Sequence, residues 1–176
     1  MFETLVRPTN QLTTTQLSEL RHLLEQTFGP RYDEVAWQHC LGGTHFLLRY
    51  NGELVSHVSL VPRLFEQAGR RLNGVYGESM VTIPNLQGKG IGTIIAAMAT
   101  ADILLHYELG AFAASKYHFY ERLGWRKWAG PTYVADESGR RPAAPDRGAV
   151  MALIPPGGGI DLSGDLTTDW RPGDIW

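Results

Sequence analysis

The chain has 176 residues, enough for one domain with one sizeable core, so a single domain over residues 1–176 is expected. Its apolar content of 43% is ordinary, no apolar run approaches the ~18–20 residues of a membrane span, and the start Met1-Phe2-Glu3-Thr4-Leu5 lacks a secretory pattern, so the expectation is a cytoplasmic protein without a membrane partner. A net charge of −2 with no Lys/Arg block argues against nucleic acid, and the single cysteine, Cys40, excludes an intrachain disulfide and a cysteine zinc cluster; it is expected as a small buried residue.

Residues 3–7 form a first strand stopped by Pro8. Thr13-Thr14-Thr15 can cap a helix over 16–27, with Leu17, Leu20, Leu23, Leu24 and Phe28 on one face and Gly29-Pro30 ending it. A shorter helix over 34–41 closes at Gly42-Gly43. The period then changes to that of strands, over 45–50 and 53–60, around Asn51-Gly52, a pair suited to the two positive φ angles of a type I′ turn. The second strand extends through Pro62 to Glu66, and a turn at Ala68-Gly69 leads into a strand ending at Ile83. A helix over 91–106, a small-residue strand over 110–114 and a short helix over 116–123 follow. Residues 125–128 and 132–135 are strand-like, 136–147 is a Pro/Arg/Asp-rich loop, and 149–154 is the last strand. Hairpins interrupted by βα units imply an α/β chain with a mixed sheet.

The most informative stretch is Gln87-Gly88-Lys89-Gly90-Ile91-Gly92, where a strand gives way to an apolar helix. A helix start turns unpaired N–H groups and the positive end of its dipole outwards, and glycines let a phosphate approach the backbone. The bare pattern also suits a structural turn. It lacks the Gly-Lys-Ser/Thr ending of a nucleotide triphosphatase loop and a complete Gly-x-Gly-x-x-Gly fingerprint. Glu78 lies in Gly74-Val75-Tyr76-Gly77-Glu78-Ser79-Met80-Val81, whose glycines mark a bulge or a close approach to a ligand. The six histidines show no metal-binding spacing, so no metal is expected and none is assigned to catalysis. No paired base is identifiable for Ser79, Ser115 or Cys40, which argues against covalent catalysis. Residues 157–176 are acidic, with Asp161, Asp165, Asp169 and Asp174 against one base, Arg171. They also carry Leu162, Leu166, Trp170, Ile175 and Trp176, so the tail is expected to dock.

Gln87, Gly90 and Gly92 fill the three specified positions of the Gln/Arg-x-x-Gly-x-Gly/Ala loop of the GCN5-related N-acetyltransferases, which the chain resembles, and the element order is similar to theirs. The resemblance implies acetyl-CoA as cofactor and a mostly antiparallel sheet splayed at its site, with helices on both faces. Its pyrophosphate would lie on Gln87, Gly88, Lys89, Gly90, Ile91 and Gly92, and its pantetheine arm on backbone groups of Met80, Val81 and Thr82. It also implies that Tyr120, in Tyr120-Glu121-Arg122-Leu123-Gly124-Trp125, serves the sulfur.

The ending Asp169-Trp170-Arg171-Pro172-Gly173-Asp174-Ile175-Trp176, with Leu41-Gly42-Gly43-Thr44-His45 and Gly74-Val75-Tyr76-Gly77-Glu78, narrows the resemblance to the aminoglycoside 2′-N-acetyltransferases. That resemblance implies direct attack of an amine on the thioester, with Glu78 and the Trp176 carboxylate as bases. The amino sugar would meet Glu78, Ser79, Asp146, Asp174 and Trp176, and the protein would be a homodimer that confers antibiotic resistance. Where the well-known members carry two substrate aspartates this chain places Arg31 and Ala36, with Asp33 or Glu34 as substitutes. Ala113 takes a position that is small and polar in the family. The change at Arg31 favours kasugamycin, which bears a carboxylated amidine, over deoxystreptamine antibiotics. The alternatives are a non-enzymatic acyl-CoA-binding or antibiotic-sequestering module, and an acetyltransferase for protein or polyamine amines.

Overall fold

The Thr13 hydroxyl accepts the Gln16 N–H at 3.2 Å while the Gln16 side chain accepts the Thr13 N–H at 2.9 Å, a reciprocal cap that starts helix α1 (Thr14–Phe28). Leu20, Leu23 and Leu24 are its buried face, and Gly29 at φ +68° ends it. The structure, a computed structural model, describes residues 1–145 and 148–176. It is a mixed α/β fold built as two compact units, one of Met1–Val61 with Gly77–Ala99 and the other of Pro62–Tyr76 with Thr100–Trp176.

In the first unit, β1 (Phe2–Pro8) pairs antiparallel with β2 (Thr44–Tyr50), and β2 with the first half of β3 (Glu53–Gln67). Asn51 and Gly52 both have positive φ, 51° and 85°, as the hairpin turn requires. Helix α2 (Glu34–Cys40) starts on Asp33, whose carboxylate accepts the Ala36 N–H at 2.9 Å. Leu12, Leu20, Leu23, Leu24, Trp37, Cys40, Leu47 and Val81 form one apolar cluster. Gly43 is required there, because a Cβ would stand 2.0 Å from the Leu60 carbonyl oxygen. The unit ends with the second half of β4 (Arg70–Thr82), the glycine loop and the start of α3 (Ile91–His106).

In the second unit, Gly74, Val75 and Tyr76 of β4 pair in parallel with Leu109, Gly110 and Ala111 of β5 (Leu109–Ala114). β5 pairs antiparallel with β9 (Ala149–Leu153), which also pairs with β6 (Arg126–Lys127). Small residues in β5 have a packing cause: a Cβ on Gly110 would stand 2.7 Å from the Ile103 side chain. Helix α4 (Tyr117–Glu121) is shorter than its sequence pattern predicts.

Two strands lie where none is expected. β7 (Thr132–Asp136) turns into β8 (Gly139–Pro142) inside the region read as loop; the turn is closed by Ser138 N–H on the Asp136 carboxylate and by an Arg141–Asp136 pair at 2.6 Å. β10 (Leu166–Asp169) lies within the acidic tail, antiparallel to β3 and parallel to β7, with Leu166 fully buried.

Candidate active site

The glycine loop leaves β4 through a 3-10 turn at Pro84–Leu86 and enters α3 at Ile91, whose buried side chain anchors the first turn. Gly88 and Gly90 have φ of +72° and +82°, and a Cβ on either would meet nothing within 4 Å. Neither glycine is therefore needed for close packing within the chain. What they provide is left-handed backbone and an unobstructed face. The N–H groups of Thr93 and Ile94 turn back to the Gly90 carbonyl at 3.1 and 3.3 Å, so those earlier in the turn precede any i−4 partner and face outwards with the helix dipole. The exposed Lys89 adds charge. The arrangement fits the pyrophosphate of acetyl-CoA. Gln87 also acts locally, its side-chain amide donating to the Thr82 carbonyl at 2.8 Å and tying the loop to the end of β4.

Along β4, Ser79 is a non-glycine residue at φ +50°, in the region where the sequence places a bulge. Its carbonyl accepts from His57 Nδ1 at 2.9 Å and its hydroxyl meets the Tyr32 hydroxyl at 3.2 Å. The neighbouring Glu78 carbonyl accepts from Ser59 Oγ at 3.5 Å, and Glu78 is half-buried. Further on, Ser56 Oγ donates to the Val81 carbonyl at 2.6 Å. Burial keeps this surround neutral: it raises the Tyr32 phenol far above its usual range and pushes the Cys40 thiol up to about 11, opposed there by hydrogen bonds from Ser59 and Ser79.

In the second unit the β4–β5 register ends at Tyr76 and Ala111, and beyond it the Ala113 N–H donates to the Tyr76 hydroxyl oxygen at 2.9 Å. Tyr120 packs against Phe112, ring centres 4.4 Å apart, and against Phe119 at 4.9 Å, and burial pushes its phenol up to about 12. Trp176 is buried against Phe65, and its indole N–H is, among the described residues, a buried donor without a protein partner. Arg171 donates to the Asp174 backbone carbonyl at 2.7 Å; the Asp174 side chain is exposed. Asp146 lies outside the described residues.

The profile of the acetyltransferase (GNAT) family matches residues 14–125, more than half of the chain. The chain belongs to that family. It is 29% identical over 161 residues to an aminoglycoside 2′-N-acetyltransferase of Mycolicibacterium fortuitum, a match covering 89% of this chain and 83% of the relative. Its fold is similar to that of a GNAT acetyltransferase from Brucella melitensis in complex with acetyl-CoA (TM-score 0.65, 14% identity, 97% of both chains). It is similar too to YhbS from Escherichia coli in complex with CoA (TM-score 0.69, 11% identity, 97% of this chain and 91% of that one). Of a larger probable N-acyltransferase from Enterococcus faecalis the chain spans 33% (TM-score 0.62, 16% identity). The family and fold expected from the sequence are those found, and the cofactor of GNAT proteins is acetyl-CoA.

Around this GNAT framework the first-unit residues near α2 have local partners. Asp33 caps α2, while Glu34 is held by Arg21 at 3.0 Å and Gln38 at 2.8 Å. Arg31 ends the 3-10 turn Gly29–Arg31 and is exposed. Sequence reasoning missed the grouping of Cys40, His45 and His57, whose side-chain N and S atoms lie within 4.8 Å of one another, all buried. The missing signal is register: antiparallel pairing sets Leu47 opposite His57 and His45 opposite Ser59, which brings the two imidazoles together. Among the described residues no helix is long and apolar enough to cross a membrane.

Proposed function

We propose that this protein acetylates the 2′-amino group of an aminoglycoside, with kasugamycin favoured over deoxystreptamine compounds, and so confers resistance to the antibiotic. The observation that carries the reading is the 29% identity, across 89% of the chain, to an enzyme of that activity. Bound acetyl-CoA supplies the activated acyl group. The loop at Gly88, Lys89 and Gly90 holds its pyrophosphate by backbone N–H groups and charge. Glu78 accepts a proton from the ammonium, because only the neutral amine is a nucleophile, and the acidic segment with Asp174 and Trp176 attracts the cation. With acetyl-CoA bound, its thioester would supply the acyl group to the neutral amine, the proton that the nitrogen sheds on acylation would pass to the departing thiolate to give the free thiol, and Tyr120 would hydrogen-bond that sulfur.

The choice of antibiotic follows from charge. Asp33 and Glu34 are committed to α2 and to Arg21, which weakens them as substitutes for the family's substrate aspartates. Arg31 repels a polycation and pairs with a carboxylate, so the exposed guanidinium suits kasugamycin. The test is a side-by-side kcat/KM for kasugamycin, gentamicin and tobramycin, following thiol release, with Arg31→Asp alongside. Kasugamycin should lead, and Arg31→Asp should shift preference towards gentamicin. A preference for gentamicin in the unmodified protein sinks the kasugamycin reading, and no thiol release with any of them sinks acetylation itself.

A further inference from the structure

His45 on β2 and His57 on β3 are both fully buried, and their contacts form one directed chain. His57 Nδ1 lies 2.9 Å from the Ser79 carbonyl, which only accepts, so that nitrogen carries the proton. In a neutral ring His57 Nε2 is then an acceptor, and it takes the His45 Nδ1–H at 3.0 Å. His45 Nε2, an acceptor in its turn, takes the Thr9 hydroxyl proton at 2.7 Å. The Thr9 oxygen accepts the Gly42 N–H at 2.9 Å. The Gly43 carbonyl, 3.1 Å from the same hydroxyl, is already served by the Thr9 N–H at 2.9 Å. Every member is satisfied with both rings neutral and protonated on Nδ1. Burial favours that state, holding His45 near 4 and His57 near 3, and the facing thiol of Cys40 is neutral too. At 3.0 Å the His45 Nδ1–H occupies the His57 Nε2 lone pair, so in this state the two rings serve each other.

The far end of this chain is Ser79 at φ +50°, a conformation a serine adopts at a cost. A part-buried carbonyl on such a residue needs a donor, and here a side chain provides it. His57 supplies it, while the Ser79 hydroxyl is engaged with Tyr32, a contact glycine could not make. We propose that the Thr9–His45–His57 chain positions Glu78: by holding the adjacent Ser79 backbone in its left-handed conformation it sets the direction of the carboxylate. The inference rests on the reading of Glu78 as the base.

The test uses His57→Leu and His57→Asn in the full chain, the asparagine amide N–H standing where Nδ1–H stood. His57→Leu should lower kcat by about 100-fold, the penalty of a roughly 1 Å misplacement, with the KM for acetyl-CoA changed less than about twofold. His57→Asn should recover most of the loss. Ring ¹⁵N shifts of the unmodified protein should show both histidines as neutral Nδ1–H tautomers, and backbone resonances of residues 77–80 should move in His57→Leu and return in His57→Asn. An Nε2–H tautomer at His57, an unchanged kcat in His57→Leu, or a loss shared equally by kcat, acetyl-CoA affinity and melting temperature with no rescue by Asn, each overturns the proposal. An unmodified protein that transfers no acetyl group overturns the reading of Glu78 and with it the catalytic consequence. The tautomers and the resonances of residues 77–80 still decide the positioning of Ser79.

Discussion

Arg63 on β3 binds Asp169 on β10 twice, Nε to the carboxylate at 3.2 Å and Nη2 to the backbone carbonyl at 2.5 Å, while Nη1 reaches the Ile175 carbonyl at 2.5 Å. The Arg63 side chain is 4% exposed and its guanidinium lies over the Tyr76 ring, which Arg171 also approaches. Burial and then the Arg171 charge pull the Arg63 pKa down, so the carboxylate and two carbonyls are what hold this cation in place. Arg63→Met should cost about 1–3 kcal/mol, because two backbone carbonyls lose their donor while the Asp169 carboxylate stays partly solvated, and amide exchange over residues 166–176 should accelerate. Arg63→Lys should rescue little, since one ammonium cannot reproduce the fork. Unchanged exchange would mean that β10 pairing alone holds the segment.

A second expectation concerns Gly90. Its φ of +82° strains any L side chain, although a Cβ meets no atom there. Gly90→Ala should therefore cost roughly 1 kcal/mol of stability by backbone strain, a modest fall in melting temperature. The methyl would also stand on the open face proposed to meet the pyrophosphate. Calorimetric CoA affinity should fall by more than that strain explains, tenfold or beyond, while kcat at saturating acetyl-CoA changes little. Equal CoA affinity in the two proteins would show that the loop face does not meet the cofactor.

Much of this was legible because its causes are local. The Thr13 cap, the Asn51-Gly52 turn and the helix starting after Gly90 each depend on residues within one turn of one another. The run of β3 past Pro62 was expected as far as Glu66, and the strand ends one residue later, at Gln67. What stayed hidden depends on distant partners. β8 is an exposed strand of Gly, Arg, Arg and Pro, with no apolar alternation to reveal it. β10 is four residues long and exists through Phe65, Glu66 and β7. The His45–His57 contact needs the β2–β3 register, and the meeting of Arg63 and Arg171 at Tyr76 needs residues more than a hundred positions apart.

The buried imidazoles make stability sensitive to acid. Unfolded, each histidine protonates near 6.5; folded, His45 does so near 4 and His57 near 3, so these depressed values contribute stability above pH 6.5. That stability is lost as pH falls from 6.5 towards 4, where the unfolded chain binds up to two more protons than the folded one. The maximal slope is roughly 2–3 kcal/mol per pH unit. Urea midpoints measured from pH 7.5 to 4.5 should fall steeply below 6.5, and more shallowly in His57→Asn, which has lost one of the two groups. Parallel curves for the two proteins would place the acid sensitivity elsewhere.

Tyr120 lies at the opposite end of the pH scale. Its phenol near 12 is far weaker an acid than a thiol of about 8.5, so full proton transfer to a departing thiolate would be uphill by roughly 5 kcal/mol. The role proposed for it is then a hydrogen bond to developing negative charge, worth ~1.5–3 kcal/mol, and Tyr120→Phe should lower kcat by roughly ten- to a hundredfold with acetyl-CoA affinity nearly unchanged. The alkaline limb of the rate profile should keep its position in Tyr120→Phe, because the phenol does not ionise in the working range. Stability supplies an independent readout. A phenol raised from 10.0 to about 12 on folding contributes stability that is complete below pH 10 and lost as pH rises to 12. Over that window the unmodified protein should lose stability more steeply than Tyr120→Phe. A kcat within twofold of the unmodified enzyme would remove Tyr120 from the chemistry, and identical alkaline unfolding would show that its burial carries no linkage.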